Sequence, residues 1–267
     1  MRRGSIFWGS IIVLLGVVLL VDQLLPGFNA WGVFWPLVLI LLGVWFLFGR
    51  SLVGSSGNLV TEQVNQPLGD IREARIRFHH GAGRLEVNPS GTPGTLLSGS
   101  FSGGVEQSLD RTGTSARLSL RTRSDAFFVG WPFTYMHEGL MWNVALTREI
   151  PLQLELETGA SESRLNLQDL RVTELSLKTG ASSTTITLPA NAGQTRVNVQ
   201  SGAASVDLRV PQGVAARIRV QSGLAGIDID RERFPEAAGG YETPGYGSSA
   251  NQVDIFVETG VGSVSIR

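Results

Sequence analysis

From Leu59 to Arg267 apolar and polar residues alternate with a period of two, the pattern of strands that bury one face. The alternation is interrupted at a recurring corner: His80-Gly81-Ala82, Thr158-Gly159-Ala160, Thr179-Gly180-Ala181, Ser201-Gly202-Ala203, Ser222-Gly223-Leu224 and Thr259-Gly260-Val261. Gly159, Gly180, Gly202 and Gly223 follow one another at spacings of 21, 22 and 21 residues. Five and three residues before each corner stand apolar side chains: Ile76 and Phe78, Leu154 and Leu156, Leu175 and Leu177, Val197 and Val199, Ile218 and Val220, Ile255 and Val257. Six residues after it come Val87, Leu165, Ile186, Leu208, Ile229 and Ile266. Each unit therefore reads as strand, glycine corner, strand and turn. A unit this short cannot bury its apolar face alone and must stack on its neighbours. Two architectures satisfy this, a β-solenoid with equivalent strands stacked in parallel and a set of hairpins packed as a sandwich. The constant register favours the solenoid, because it stacks like on like. At the corners, glycine is expected to supply a backbone with positive φ.

The first 50 residues follow another pattern. Residues 6–25 form an apolar run whose only charge is Asp22, and residues 31–48 form a second with none. At 1.5 Å per residue each is long enough to cross a hydrocarbon core of about 30 Å. Pro26-Gly27 marks a turn between them, so residues 1–50 are expected to form a transmembrane helical hairpin. Met1-Arg2-Arg3 before an apolar run is also how a signal peptide begins, but no small-residue cleavage site follows and the second run comes almost at once. Arg2, Arg3 and Arg50 flank the pair while the connecting loop has no basic residue, which places both termini, and the β domain with them, on the cytoplasmic side of the cell membrane. Residues 51–58 are rich in Ser and Gly and read as a linker to the all-β region at 59–267.

If successive units stack in chain order, Glu157 and Lys178 become cross-rung neighbours, as do Arg209 and Asp230, while Asp207 and Asp228 stack as like charges. No further carboxylates complete a calcium shell around that last pair. Two segments break the repeat. Residues 126–142 concentrate aromatics, Phe127, Phe128, Trp131, Phe133, Tyr135 and Trp142, which either plug one end of the solenoid or dock a partner or the membrane surface. From Gly223 to Gly260 the interval lengthens to 37 residues, read as a long surface loop whose Tyr241 and Tyr246 are a second interaction candidate.

Charge and composition remove several functions. With 22 basic and 23 acidic residues the chain has no basic surplus for nucleic acid. It has no cysteine, hence no disulfide framework, zinc-thiolate site or thiol nucleophile. Among its three histidines, His79 and His80 are adjacent in an expected strand and point to opposite faces, so they do not share a metal ion. No nucleophile elbow, phosphate loop or zinc-protease motif occurs. The sequence therefore points to no enzyme, cofactor or metal site, and the corner glycines Gly81, Gly159, Gly180, Gly202, Gly223 and Gly260 are explained by folding alone.

The segment Phe34-Trp35-Pro36-Leu37-Val38-Leu39-Ile40-Leu41-Leu42-Gly43 resembles the membrane region of the LiaF-like cell-wall-active antibiotic response proteins. Trp142-Asn143-Val144-Ala145-Leu146, Ile150-Pro151-Leu152, the Thr-Gly-Ala corners and the closing run from Asn251 to Val264 are similar to their repetitive β domain, called toastrack. The resemblance implies a non-enzymatic membrane protein that modulates an envelope-stress response, typically by restraining a sensor kinase. Its partners would be the lipid bilayer and a membrane protein such as that kinase, with room for a homo-oligomer. The other reading is a surface-exposed, adhesin-like structural protein anchored by the same segments.

Overall fold

In the computed structural model of the chain, residues 61–123, 140–237 and 239–267 are described. The expected membrane hairpin and linker lie outside them, and among the described residues no helix is long and apolar enough to cross a membrane. The described residues all belong to one compact unit, Leu59–Arg267.

Among the described residues of that unit the regular elements are strands, apart from one 3-10 turn. Its elements are β1 (Thr61–Pro67), β2 (Glu73–Pro89), β3 (Thr95–Ser102), β4 (Val105–Thr112), β5 (Ser115–Thr122), β6 (Met141–Leu146), β7 (Leu152–Asn166), β8 (Val172–Thr187), β9 (Gln194–Arg209), β10 (Ala215–Ile229), β11 (Glu236–Ala237), β12 (Gly240–Glu242) and β13 (Gln252–Ile266). The solenoid expectation holds for the repeat: β2, β7, β8, β9, β13 and β10 pair in parallel, corner on corner. Thr158 lies beside Thr179, and Thr179 beside Ser201.

Each long strand changes phase at its corner. In β7, Leu152, Leu154, Leu156 and Thr158 are buried before Gly159, and Ser161, Ser163 and Leu165 after it. Only a corner at the glycine lets both sets face one interior, because side chains alternate sides along an unbroken strand. All the apolar residues at the repeating positions are buried there except Val220, which packs partly covered against the same core.

The corner glycines serve a different need from the one expected. Gly159, Gly180, Gly202, Gly223 and Gly260 do not adopt positive φ. They are glycine because the neighbouring rung comes too close for a side chain. A Cβ on Gly159 would overlap the Gly81 carbonyl oxygen, and one on Gly180, Gly202 or Gly260 would lie 3.1, 3.2 or 2.7 Å from the carbonyl oxygen of Gly159, Gly180 or Gly202. Stacked corners thus impose small residues on one another, which is why the glycine recurs at every rung.

The stacking order also departs from chain order. β13 inserts between β9 and β10, and the sheet runs β1-β3-β6-β2-β7-β8-β9-β13-β10-β12-β11. β13 carries a full apolar set on both sides of its corner, Val253, Ile255, Val257, Val264 and Ile266, each at most 1% exposed. β10 after its corner offers Leu224, Gly226 and Ile227, of which Leu224 is 83% exposed. Placing the better apolar rung inside and the poorer one at the end buries more hydrocarbon, at about 25 cal/mol per Å². The expected Arg209 to Asp230 pair is lost as a result. Arg209 instead bonds Asp207 of its own strand at 3.0 Å, Asp228 faces Arg267 at 3.8 Å, and Ser265 separates Asp207 from Asp228.

The two ends differ. On its outer side β2 is covered by β5 along residues 73–79 and by β6 along residues 84–89. Antiparallel β4 then follows β5, while β3 and β1 follow β6. At the other end β12 pairs with β10 only at Arg217 and Ile218.

Candidate functional site

The corners line up into an open groove of about 1190 Å³ that crosses β2, β7, β8, β9 and β13. At the usual strand spacing of about 4.8 Å it is roughly 20 Å long. Its residues come from the two positions before each glycine. One position carries hydroxyls that bond along the stack: Thr158 Oγ1 donates to Thr179 Oγ1 at 2.9 Å, and Ser201 Oγ to Thr259 Oγ1 at 2.9 Å. The other carries His79, Glu157, Lys178, Gln200 and Glu258, with Arg121 of β5 beyond His79. Glu157 and Lys178 are ladder neighbours as expected from the sequence. His79 Nδ1 lies 3.0 Å from Glu157 Oε2, and Gln200 Nε2 donates to Glu258 Oε2 at 3.4 Å. Elsewhere on the outer face Arg77 meets Glu155 at 2.5 Å and Arg84 meets Glu162 at 2.9 Å, which ties β2 to β7. Such half-exposed pairs contribute about 0.2 to 1 kcal/mol each and mainly fix register.

At the groove's β2 end the row of hydroxyls is replaced by an imidazole. His79 and His80 point to opposite faces, as the alternation requires: His79 is half-buried beside Glu157, while His80 is 1% exposed. The His80 ring packs on Trp142 with centroids 4.8 Å apart, and Trp142 meets Phe101 edge-on at 5.0 Å. Among the described residues neither nitrogen of His80 has a hydrogen-bond partner, and neither does Trp142 Nε1. Burial alone lowers the His80 pKa from 6.5 to about 4, so the ring is neutral at physiological pH.

The remaining sequence candidates fall into three groups. Phe127, Phe128, Trp131, Phe133 and Tyr135 lie outside the described residues. Trp142, grouped with them by its aromatic neighbours in sequence, is instead an inward residue of β6 and fully buried. The Tyr241 and Tyr246 loop is a structured cap rather than an exposed tip. Tyr246 is 5% exposed, with the Arg217 guanidinium 4.4 Å from its ring centre, and Tyr241 packs against the core. Burial, then the nearby Asp254 carboxylate, raises the Tyr246 hydroxyl pKa. Arg217 also bonds Glu242 at 2.6 Å, which holds β12 on β10. Among the described residues no three histidine or carboxylate side chains converge to hold a metal ion.

Two features were not visible in the sequence. One is the His80 and Trp142 contact, formed between residues 62 positions apart. The other is an exposed apolar spot where Leu224 and Val261 sit side by side on β10 and β13, 83% and 53% exposed. Their place just after a corner was the available signal, since β2, β7, β8 and β9 carry alanine there.

A parallel rack of cornered strands with glycines stacked at the bend defines a toast-rack type of β protein. Residues 55–209 match the model for the N-terminal domain of toast_rack, DUF2154, and this chain belongs to that family. No curated protein matches the chain. Among solved structures, the crystal structure at 1.95 Å of a "putative cell adhesion protein" from Clostridium sporogenes is similar, with a TM-score of 0.70 and 18% identity. The match covers 78% of this chain and 98% of that one. At this identity the likeness is one of fold.

Proposed function

We propose that the protein is a membrane-anchored, non-enzymatic regulator or scaffold that acts in the cell-envelope stress response by protein contacts, with a sensor kinase as the partner class. The observation that carries this reading is the joining, in one chain, of two membrane-length apolar runs at 6–25 and 31–48 to a toast-rack domain matched over 55–209. The resemblance of the segment 34–43 to LiaF-like proteins points the same way. On this reading the apolar runs form a hairpin that meets the partner in the bilayer, and the rack is a stiff cytoplasmic body that presents a surface. The adhesin-like alternative draws its support from the name of the Clostridium relative.

Sidedness separates the two readings, and the absence of native cysteine makes the test clean. Single Asn29→Cys and Ser56→Cys variants are treated, on intact cells, with a membrane-impermeant thiol reagent. Reaction at position 29 with protection at 56 is the expected result. Reaction at position 56 would place the β domain outside, rejecting the regulator topology in favour of the adhesin.

A further inference from the structure

We propose that His80 is an acid-sensitive latch that holds the antiparallel end of the domain, β6 and β3, onto the parallel rack. His80 stands where the cover of β2 changes hands: β5 pairs with it as far as His79, and β6 takes over at Arg84. Across this seam the His80 ring of β2, the Trp142 ring of β6 and the Phe101 ring of β3 make one aromatic column. The column is buried, and among the described residues its polar atoms are unpartnered: neither His80 nitrogen nor Trp142 Nε1 makes a hydrogen bond. A neutral imidazole tolerates this setting. An imidazolium brings a second N–H and a full charge, and a buried charge without a partner is strongly disfavoured.

Among the described residues no carboxylate meets the His80 ring. From β7, Glu157 is turned to the outer face, where it meets His79. From β5 and β8 the groove receives Arg121 and Lys178, both cations. β6 and β3 contain no titratable residue. On β2 itself Arg77 and Arg84 are engaged by Glu155 and Glu162. Protonated His80 therefore gains most by leaving the column for the open groove it already borders, and this removes the aromatic contact that supplements the β2–β6 ladder.

The size and sign follow from linkage. The closed form binds the proton about 300-fold more weakly than the open form, which titrates at the ordinary 6.5. Opening is thus little affected above pH 7, is favoured progressively as pH falls to about 4, and is enhanced about 30-fold at pH 5 relative to pH 7.5.

Hydrogen exchange of the full chain in detergent, followed by mass spectrometry at pH 7.5 and pH 5, tests this. The readout is the exchange rate of β3 and β6 peptides relative to β8 and β9 peptides of the same sample, each corrected for intrinsic chemistry. The relative rate should rise about 30-fold at pH 5 in the wild type and in His79→Gln, and should not change in His80→Leu. An unchanged ratio in the wild type, or a response that survives in His80→Leu, overturns the latch. Where His80→Leu does not fold, the ring signals of ¹³C-labelled histidine in the wild type decide. A His80 ring that titrates below 5 together with the Trp142 indole signal supports the proposal. One that titrates near 6.5 with a fixed indole signal rejects it.

Discussion

At the corners a single missing methyl group decides whether two rungs stack. Replacing Gly159 by Ala drives a Cβ into the Gly81 carbonyl, backbone that cannot swing aside, so the substitution should cost about 2 kcal/mol or more. Gly180→Ala and Gly202→Ala, with 3.1 and 3.2 Å to the opposing oxygen, should cost about 1 kcal/mol, whereas Gly226→Ala, at 4.0 Å, should stay within about 0.5 kcal/mol of wild type. Denaturant midpoints across the series check this ranking, and equal losses at all four positions would remove the close-approach explanation. The position of these glycines was legible in the sequence, but their reason was not. A positive φ and a close neighbour demand the same residue, and only the neighbouring carbonyl tells them apart. The inward row was likewise legible, because alternation fixes it; His80 and His79 on opposite faces, and Val199 inside, all follow. Asn198 shows the limit: it alternates with Val199 yet is half-buried, between Ser176 and Phe256, because adjacent rungs cover even outward side chains.

Each strand depends on having a rung on both sides, so equivalent residues differ in worth with their place in the rack. Four residues after the corner, Val206 of β9 and Val264 of β13 are 1% exposed while Ile227 of β10 is 43% exposed. Val206→Ala and Val264→Ala should each cost about 2 kcal/mol, and Ile227→Ala, despite removing more carbon, less than about 1 kcal/mol. Thermal midpoints of the three variants test whether β10 is the end of the stack, and an equal loss at Ile227 would show that something covers it. The repeat revealed these residues as equivalent, but a shared register does not by itself show which unit is terminal. The extra length between Gly223 and Gly260 marked a departure from the repeat without showing its use. Its strands β11 and β12, with Tyr246 beneath Arg217, cap the first half of β10 and leave the second half bare. An aromatic in a glycine-rich stretch looks like an exposed tip in sequence because the surface that buries it comes from residues some 29 positions away.

For the molecule as a whole, what the sequence conceals is order. Six units in the same register can stack in several orders, and the fuller apolar rows of β13 compared with β10 favour the one observed. The loops must also allow it, and a 37-residue interval leaves the last strand free to enter beside β9. The chain's lack of cysteine allows a direct test of that order. Gln200 and Glu258 occupy the same outward position on β9 and β13 and are ladder partners, and Gln221 of β10 lies beyond Glu258 on the far side. Adjacent rungs lie about 4.8 Å apart, within the Cα separation a disulfide accepts, whereas alternate rungs lie about 9.6 Å apart and outside it. Oxidation of Gln200→Cys/Glu258→Cys should therefore close a bridge, as should Gln221→Cys/Glu258→Cys, while Gln200→Cys/Gln221→Cys should remain reduced in the folded protein. Stacking in chain order would reverse the outcome for the first and third pairs. Ready bridging of positions 200 and 221, read as a mobility shift without reductant, would mean that β13 does not stand between β9 and β10.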